Sequence, residues 1–163
     1  MIYARFSTPL GNAYVTLHGD ALAGLYFEGA RHAPAIASDW ERDDGHPAAK
    51  ACAQQLAEYF AGTRDSFDLP LAPRGTPFQQ RVWAEIARVP FGATITYAQL
   101  AARAGAPEAM RAAGAATGRN PLTILVPCHR IVGSDGALTG YAGGLERKRR
   151  LLELEGALQP ALV

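Results

Sequence analysis

Cysteine is scarce in this chain, and its scarcity excludes two common ways of stabilising a small protein. Only two cysteines, Cys52 and Cys128, occur among the 163 residues, and they form no CxxC pattern. A disulfide framework and a zinc site built on cysteine pairs both need more cysteines than this. The chain therefore has to fold on a hydrophobic core, for which its length is sufficient.

Long apolar runs and a strong net charge are missing as well. No run approaches the roughly 20 apolar residues of a membrane-spanning helix, and Met1 is not followed by a basic segment and an apolar signal core. We therefore predict a cytoplasmic protein with no membrane contact. The net charge of +1 hides an asymmetry, since residues 1–73 hold 5 Lys and Arg against 9 Asp and Glu, and residues 74–163 hold 11 against 6. A polyanionic partner would bind the second half.

The first half, 1–73, has the pattern of a small sheet followed by a helix. Three short alternating segments separated by turn residues predict an antiparallel meander; they are 2–6, 13–17 and 22–27. The acidic stretch 39–44 is predicted to be a solvated loop. Pro47 opens a helix that stops at Gly62, and Cys52 lies on its apolar stripe, which indicates a packing role. The proline-rich stretch 70–75 predicts a linker between two domains.

The second half, 74–163, is predicted to be mainly helical. Two capping boxes, Thr-Pro-Phe-Gln at 76–79 and Thr-Tyr-Ala-Gln at 96–99, open two helices. Pro107 opens another to about residue 117, so two short helices joined through a glycine give the outline of a helix-turn-helix. A last helix runs from 145 to 155, with Gly156 at its C-terminal cap and the basic cluster 147–150 on its outside. The predicted fold class is α+β.

The segment with the most chemistry is Pro-Cys-His-Arg at 127–130. Apolar residues 122–126 before it predict a short buried strand. The nucleophile in cysteine chemistry is the thiolate, which a neighbouring imidazole favours. Because neighbours in a strand point to opposite faces, His129 can assist Cys128 only if the backbone turns there, as Pro127 would permit. Alternatively, Cys128 is a small buried hydrophobe, and the tetrapeptide alone leaves both interpretations open.

Six blocks of sequence follow one another in the order of a known family. They are Gly-Thr-Pro-Phe-Gln (75–79), Ile-Thr-Tyr-Ala-Gln-Leu (95–100), Arg-Asn-Pro (119–121), Ile-Leu-Val-Pro-Cys-His-Arg (124–130), Gly-Tyr-Ala-Gly-Gly (140–144) and Leu-Leu-Glu-Leu-Glu-Gly (151–156). Together they resemble the O6-alkylguanine-DNA alkyltransferase family. The resemblance implies a small ribonuclease-H-like domain over 1–73, where the match is loose, and a winged-helix-like domain with a helix-turn-helix over 74–163.

The resemblance also implies an activity, DNA repair by direct reversal of damage. The alkyl group on O6 of guanine, with O4 of thymine as a further candidate, moves irreversibly to a nucleophilic cysteine, once per protein molecule. The implied partner is double-stranded DNA that contains O6-alkylguanine. No cofactor and no metal are expected, and we expect a monomer.

The same resemblance assigns the catalytic roles. Cys128 corresponds to the acceptor thiol, His129 to the base that takes its proton through a bound water, and Glu155 to the acid that orients His129. Asn120 corresponds to the residue that holds the recognition helix to the active-site strand. Tyr97 corresponds to the phenol that hydrogen-bonds the departing guanine.

Further matches concern the DNA and the extruded base. Arg111 corresponds to the arginine that enters the base stack when the nucleotide flips out, and Tyr141 to the ring that stacks over the flipped base. This chain has Gly-Arg at 118–119, with Arg119 as the second residue, whereas many family members have Arg-Gly there. Ala142 stands where some members have serine, but the backbone amides of Ala142 and Gly143 can still donate to the base.

Two other functions fit parts of the sequence. A papain-like cysteine hydrolase would need histidine and asparagine far downstream, and only 35 residues follow Cys128. A helix-turn-helix regulator without chemistry would bind DNA, but its mass would not change on incubation with alkylated DNA.

Overall fold

The computed structural model describes residues 1–159, and the chain divides into two compact units. The first unit is Met1–Arg74, and the second begins at Gly75. A sheet dominates the first unit and helices dominate the second. No helix in the described part of the chain is long and apolar enough to cross a membrane.

The first unit is built on three antiparallel strands. β1 (Ile2–Thr8), β2 (Gly11–His18) and β3 (Ala21–Phe27) pair in sequence order, which confirms the predicted meander. Gly11 and Gly19 take positive φ values of 123° and 59° at the two tight turns. β2 lies between the other two strands and contributes most to the core.

A fourth strand of two residues lies where the sequence predicted a solvated loop. β4 (Glu41–Arg42) pairs parallel with β1. The Glu41 amide donates to the Met1 carbonyl at 2.9 Å, and the Asp43 amide donates to the Tyr3 carbonyl at 2.8 Å. The loop prediction was wrong for these two residues. The outer edge of β1 has carbonyl groups that accept hydrogen bonds from backbone amides of the neighbouring segment.

Helix α1 (Pro47–Phe60) completes the first unit and begins at the predicted proline, with His46 as its N-cap. Cys52 lies fully buried in this helix. Burial raises the pKa of its thiol to about 12. The predicted packing role of Cys52 is therefore confirmed.

The predicted linker is partly attached to the sheet. The Leu22 amide of β3 donates to the Pro70 carbonyl at 2.8 Å, and the Ala72 amide donates to the Leu22 carbonyl at 2.8 Å. Leu71 thus forms a parallel bridge with Leu22. The free edge of β3 captures this stretch, so the linker prediction was wrong for 70–72.

In the second unit, α2 (Pro77–Ala87) and α3 (Tyr97–Arg103) begin at the two predicted capping boxes, and both boxes are complete. Helix α4 (Met110–Gly118) begins later than predicted. The Ala109 amide donates to the Ala106 carbonyl at 2.8 Å and closes a separate turn over Pro107 first. α2 is fixed to α4 by the Trp83 indole N–H, which donates to the Ala116 carbonyl at 2.8 Å.

Residues 122–126 do not form the predicted strand. They fold into turns, in which the Val126 amide donates to the Leu122 carbonyl at 2.9 Å. Ile124 adopts a φ of 68°, an unusual conformation for a β-branched residue. Apolar, β-branched composition favours a strand, but tertiary contacts override that preference here. Nearby, β5 (Ile95–Thr96) pairs in parallel with β6 (Ile131–Val132).

The last helix follows the prediction closely. A turn over 133–136 and an irregular stretch over 140–144 precede it. Helix α5 (Leu145–Leu154) ends at the cap residue Glu155, and Gly156 takes a φ of 75° just beyond it. With a sheet unit and a helical unit, the chain has the predicted α+β class.

Candidate active site

Asn120 organises the approach to the cysteine from its position just after α4. Its side-chain amide donates to the Val126 carbonyl at 2.8 Å, and its side-chain carbonyl accepts from the Leu122 amide at 2.9 Å. One buried side chain thus satisfies both ends of the turn before Cys128. Asn120 therefore connects the end of α4 to the segment before Cys128, as predicted, but that segment is a turn and not a strand.

Cys128 and His129 lie in a single 3-10 turn, Cys128–Arg130. Successive residues of such a turn point about 120° apart and not to opposite faces. The backbone turn that the sequence analysis required is therefore present directly after Pro127. β6 holds the chain immediately after this turn by its pairing with β5.

Burial raises the pKa of the Cys128 thiol above its ordinary value. The polar side chains of Asn120 and Thr123 and the positive charge of Lys148 act in the opposite direction. The thiol form therefore dominates at rest, contrary to the simple expectation that the imidazole keeps a thiolate at neutral pH. A base has to take the proton when the sulfur reacts.

Glu155 is the acid beside that base. Its carboxylate accepts from His129 Nε2 at 2.8 Å and from Arg130 Nε and Nη2 at 2.8 and 2.9 Å. The remaining nitrogen of the guanidinium, Nη1, donates to the Val89 carbonyl at 2.6 Å. His129, Arg130 and Glu155 are all buried, with Glu155 only 4% exposed. Glu155 is therefore not a solvated acid at a helix end.

The carboxylate also sets the state of the imidazole. A carboxylate only accepts, so Nε2 of His129 carries the proton and Nδ1 keeps its lone pair. Nδ1 is buried and has no hydrogen-bond partner among the described residues. Burial, together with the positive charges of Arg130 and Lys148, lowers the pKa of His129, although Glu155 acts in the opposite direction. His129 is thus a neutral base with its basic nitrogen unengaged by the protein.

Tyr97 and Lys148 converge on the same backbone carbonyls. The Tyr97 hydroxyl donates to the Thr139 carbonyl at 2.9 Å, and Lys148 Nζ donates to that carbonyl at 2.9 Å and to the Gly140 carbonyl at 3.2 Å. Lys148 also donates to the Ile131 carbonyl at 2.5 Å and lies 5.8 Å from the centre of the Tyr97 ring. This lysine ties the loop before α5 to the strand that follows the cysteine.

The position of Lys148 corrects the sequence prediction, which placed the whole basic cluster 147–150 on the outside of the last helix. Lys148 is fully buried, and burial lowers the pKa of its ammonium to about 8. Three backbone carbonyls compensate its desolvation. Nothing in the sequence of the basic cluster 147–150 distinguishes Lys148 as the residue that faces the interior.

The residues predicted to contact the base lie in the same region. Tyr141 is half-buried, and its hydroxyl hydrogen-bonds Thr123 Oγ1 at 2.5 Å. Ala142 and Gly143 follow it in a turn, and the Gly143 carbonyl accepts from Arg147 at 2.9 Å.

The two predicted DNA-contacting arginines lie at opposite ends of α4. Arg111 is exposed in its first turn, and Arg119 is the exposed C-cap residue. Arg111 borders a cavity of about 400 Å³ whose wall includes Tyr97 and Gly140. Arg119 is not among the residues that line this cavity.

Sequence reasoning missed three polar residues of this site, namely Thr123, Arg130 and Lys148. Arg130 belongs to the Pro-Cys-His-Arg segment, which could have marked it, but a single sequence does not show which charged residues are buried. Among residues 1–159, no group of three or more His, Cys, Asp or Glu side chains could hold a metal ion.

Two family models match the chain, one for each unit. The model described as 6-O-methylguanine DNA methyltransferase, ribonuclease-like domain, matches residues 1–73. The model described as 6-O-methylguanine DNA methyltransferase, DNA binding domain, matches residues 77–157.

Curated relatives align over nearly the whole chain. The methylated-DNA–protein-cysteine methyltransferase of Mycobacterium tuberculosis H37Rv is 44% identical over 159 residues, which cover 98% of this chain and 94% of the relative. The constitutive methylated-DNA–protein-cysteine methyltransferase of Bacillus subtilis is 42% identical over 160 residues, with 94% of each chain covered.

Solved structures give the same result. The crystal structure of Mycobacterium tuberculosis OGT in complex with DNA has a TM-score of 0.88 and 42% identity, covering 96% of this chain and 94% of that one. A structure of the Mycobacterium tuberculosis O6-methylguanine methyltransferase has a TM-score of 0.86 and 43% identity, covering 98% and 94%. These likenesses confirm the predicted α+β class.

The buried carboxylate leads to a prediction about stability. Glu155→Gln keeps the shape of the side chain but deprives the buried Arg130 guanidinium of its anion. We expect the free energy of unfolding, measured by urea denaturation, to fall by about 3–5 kcal/mol. Adding Arg130→Met to this variant should restore part of the loss, because the unpaired buried cation is then removed.

Glu153→Gln is the matched control for this measurement. Glu153 lies on α5 and pairs with Arg149, but the two side chains are 18% and 36% exposed. Its loss should be below about 1 kcal/mol. Equal losses for the two glutamine variants would contradict a structural role for the Glu155 ion pair.

Proposed function

The chain belongs to the 6-O-methylguanine DNA methyltransferase family, and from that premise we propose that Cys128 is the thiol that accepts the alkyl group. The protein is a DNA-repair methyltransferase that transfers an alkyl group from DNA to a cysteine. The observation that carries the assignment to Cys128 is the neutral imidazole of His129 in the same turn, oriented by Glu155. Cys52 sits in a buried apolar position and its thiol pKa is raised to about 12.

The proposed reaction is a displacement at the alkyl carbon of O6-alkylguanine. The Cys128 thiol gives its proton to Nδ1 of His129 through a water molecule, the sulfur–carbon bond forms and the carbon–O6 bond breaks. The electron pair of that bond leaves with the guanine. Tyr97 stabilises the charge on the guanine once its hydroxyl turns from the Thr139 carbonyl to the base. The thioether product has no activated leaving group, so each protein molecule acts once.

Glu155 and Arg130 act through His129 in this scheme. The carboxylate holds the imidazole in the tautomer whose Nδ1 accepts, and it stabilises the imidazolium that forms when the proton arrives. Arg130 keeps the carboxylate ionised inside a buried site, because its two N–H groups pair with both oxygens. His129 thereby becomes a stronger base at the moment of reaction than its burial alone would allow.

For binding, we propose that α3 and α4 form a helix-turn-helix that holds double-stranded DNA. A base inside a duplex hides O6 from the thiol, so the damaged nucleotide has to be flipped out at a cost of a few kcal/mol. Arg111, exposed at the start of α4, would fill the gap in the stack. The cavity beside Arg111 has Tyr97 in its wall, so we assign that cavity to the DNA around the flipped base.

The excess of 11 basic over 6 acidic residues in the second half supports contact with the phosphates there. We further propose that the protein acts as a monomer and in the cytoplasm. O4-alkylthymine is a second candidate substrate.

We expect Cys128 to take up one alkyl group per protein molecule. After incubation with duplex DNA containing O6-methylguanine, mass spectrometry should show a single methyl increment on the peptide that contains Cys128. Cys52→Ala should react like the parent protein, and Cys128→Ser should not react. A methyl group on the Cys52 peptide, or many turnovers per protein, would contradict the assignment; DNA binding without any mass change would favour a regulator without chemistry.

Arg111→Ala should impair reaction with duplex DNA much more than reaction with a free base. Without this side chain, nothing fills the space that the flipped base leaves in the stack. Repair of duplex DNA should therefore slow more than about tenfold, because flipping costs a few kcal/mol. Free O6-benzylguanine needs no flipping, so its rate should stay within about twofold of the parent rate.

Arg88→Ala is the control for Arg111→Ala, since it removes an equal charge from a side chain that is 76% exposed in the same unit. It should leave both rates near those of the parent. Equal losses on duplex DNA and on the free base would show that Arg111 does not compensate a flipped base.

A further inference from the structure

Lys148 and Tyr97 donate hydrogen bonds to the same two backbone carbonyls in the loop before α5. The Thr139 carbonyl accepts from the Tyr97 hydroxyl at 2.9 Å and from Lys148 Nζ at 2.9 Å. The Gly140 carbonyl accepts from the same two groups at 3.3 and 3.2 Å. A carbonyl oxygen has two lone pairs, so each of these acceptors keeps one donor when the other leaves.

Lys148 is the fixed donor of the two. Its third contact is the Ile131 carbonyl at 2.5 Å, so three acceptors match the three N–H groups of the ammonium. The side chain is fully buried, and a pKa of about 8 leaves most of the ammonium protonated at pH 7. Tyr97 is only half-buried, and its single O–H group can rotate about the C–O bond. The Tyr97 hydroxyl is therefore the donor that can leave.

The two shared carbonyls lie where we propose that DNA binds. Thr139 and Gly140 line the same cavity as Arg111. In the free protein, water can replace a departing donor at these exposed residues. DNA in the cavity displaces that water, and a carbonyl that loses its partner there costs free energy. Without a second donor, the move of the Tyr97 hydroxyl to the guanine would leave such a carbonyl unpaired.

We propose that Lys148 is a positioning residue that keeps these two carbonyls hydrogen-bonded while the Tyr97 hydroxyl turns to the departing guanine. The inference rests on the proposed function, in which Tyr97 stabilises the charge on that base. Lys148 does not touch the substrate and gives up no proton. It acts through Tyr97, whose change of hydrogen-bond partner it makes less costly. This contribution to the rate disappears when Tyr97 has no hydroxyl to move.

The first test is a double-variant cycle of Lys148→Met and Tyr97→Phe. Methionine keeps an unbranched apolar stem without the donors, and phenylalanine removes only the hydroxyl. The readouts are the single-turnover rate of methyl transfer at pH 7, with a saturating concentration of duplex DNA that contains O6-methylguanine, and the Kd for the unmodified duplex. Lys50→Met is the matched control, because Lys50 is the other lysine of the chain and is exposed. It should behave like the parent.

Lys148→Met should slow transfer about tenfold more in the parent than in the Tyr97→Phe background, as expected when a polar group is left unpaired in one background alone. The Kd should stay within about twofold of the parent value. A role in holding the loop, or an effect of the lost charge on the Cys128 thiolate, would slow transfer by the same factor in both backgrounds. Equal factors would therefore overturn the inference.

The second test follows the Lys148 ammonium directly by ¹⁵N NMR, in protein labelled on its two lysines. Cys128→Ser, which should not react, keeps the complex with methylated duplex DNA intact. The Lys148 signal should exchange slowly with water both with and without DNA, because its three N–H groups stay hydrogen-bonded. The signal of exposed Lys50, assigned by its loss in Lys50→Met, should exchange fast. Fast exchange of Lys148 in the complex would overturn the inference.

The two tests separate failure of the inference from failure of the proposed function. A parent protein that transfers methyl groups but gives equal factors in the cycle overturns the inference alone. A parent protein that transfers no methyl group overturns the proposed function and the inference with it. If Lys148→Met fails to fold, as judged by circular dichroism, the exchange rate of the Lys148 ammonium in the DNA complex decides.

Discussion

The candidate site depends on the carboxylate of Glu155, which accepts three hydrogen bonds from two neighbouring side chains. His129 supplies one and Arg130 supplies two, and all three residues are buried. An acid at the end of a helix is unfavourable with the macrodipole by up to about 1 kcal/mol, so helix stability does not explain its position. The ion pair joins the end of α5 to the cysteine turn, and Arg130 extends the connection to the Val89 carbonyl.

Burial gives the thiol and the imidazole complementary resting states. It raises the pKa of Cys128 and lowers the pKa of His129, so both are neutral before the reaction. Moving the proton then creates an ion pair whose two charges already have partners. Glu155 is hydrogen-bonded to the imidazole, while Asn120, Thr123 and Lys148 favour the thiolate. Such preorganised groups need no rearrangement when charge develops.

Local signals in the sequence predicted the local structure well. The capping boxes at Thr76 and Thr96 and the glycine cap at Gly156 were all found where the residues indicated. The strand predicted over 122–126 failed because Asn120, a residue outside that run, satisfies the backbone in a turn. Burial of Lys148 could not be predicted either, because the carbonyls that compensate its charge lie outside α5, at Ile131, Thr139 and Gly140.

The most direct test of the neutral-base mechanism is the ¹⁵N NMR spectrum of the His129 ring from about pH 6 to pH 8, where an ordinary histidine changes its charge. The signals of His129 can be assigned among the 4 histidines by their loss in His129→Asn. We expect a neutral ring throughout this range, with the proton on Nε2 and an unprotonated Nδ1. An imidazolium at pH 7, or a neutral ring with its proton on Nδ1, would contradict a mechanism in which His129 takes the thiol proton.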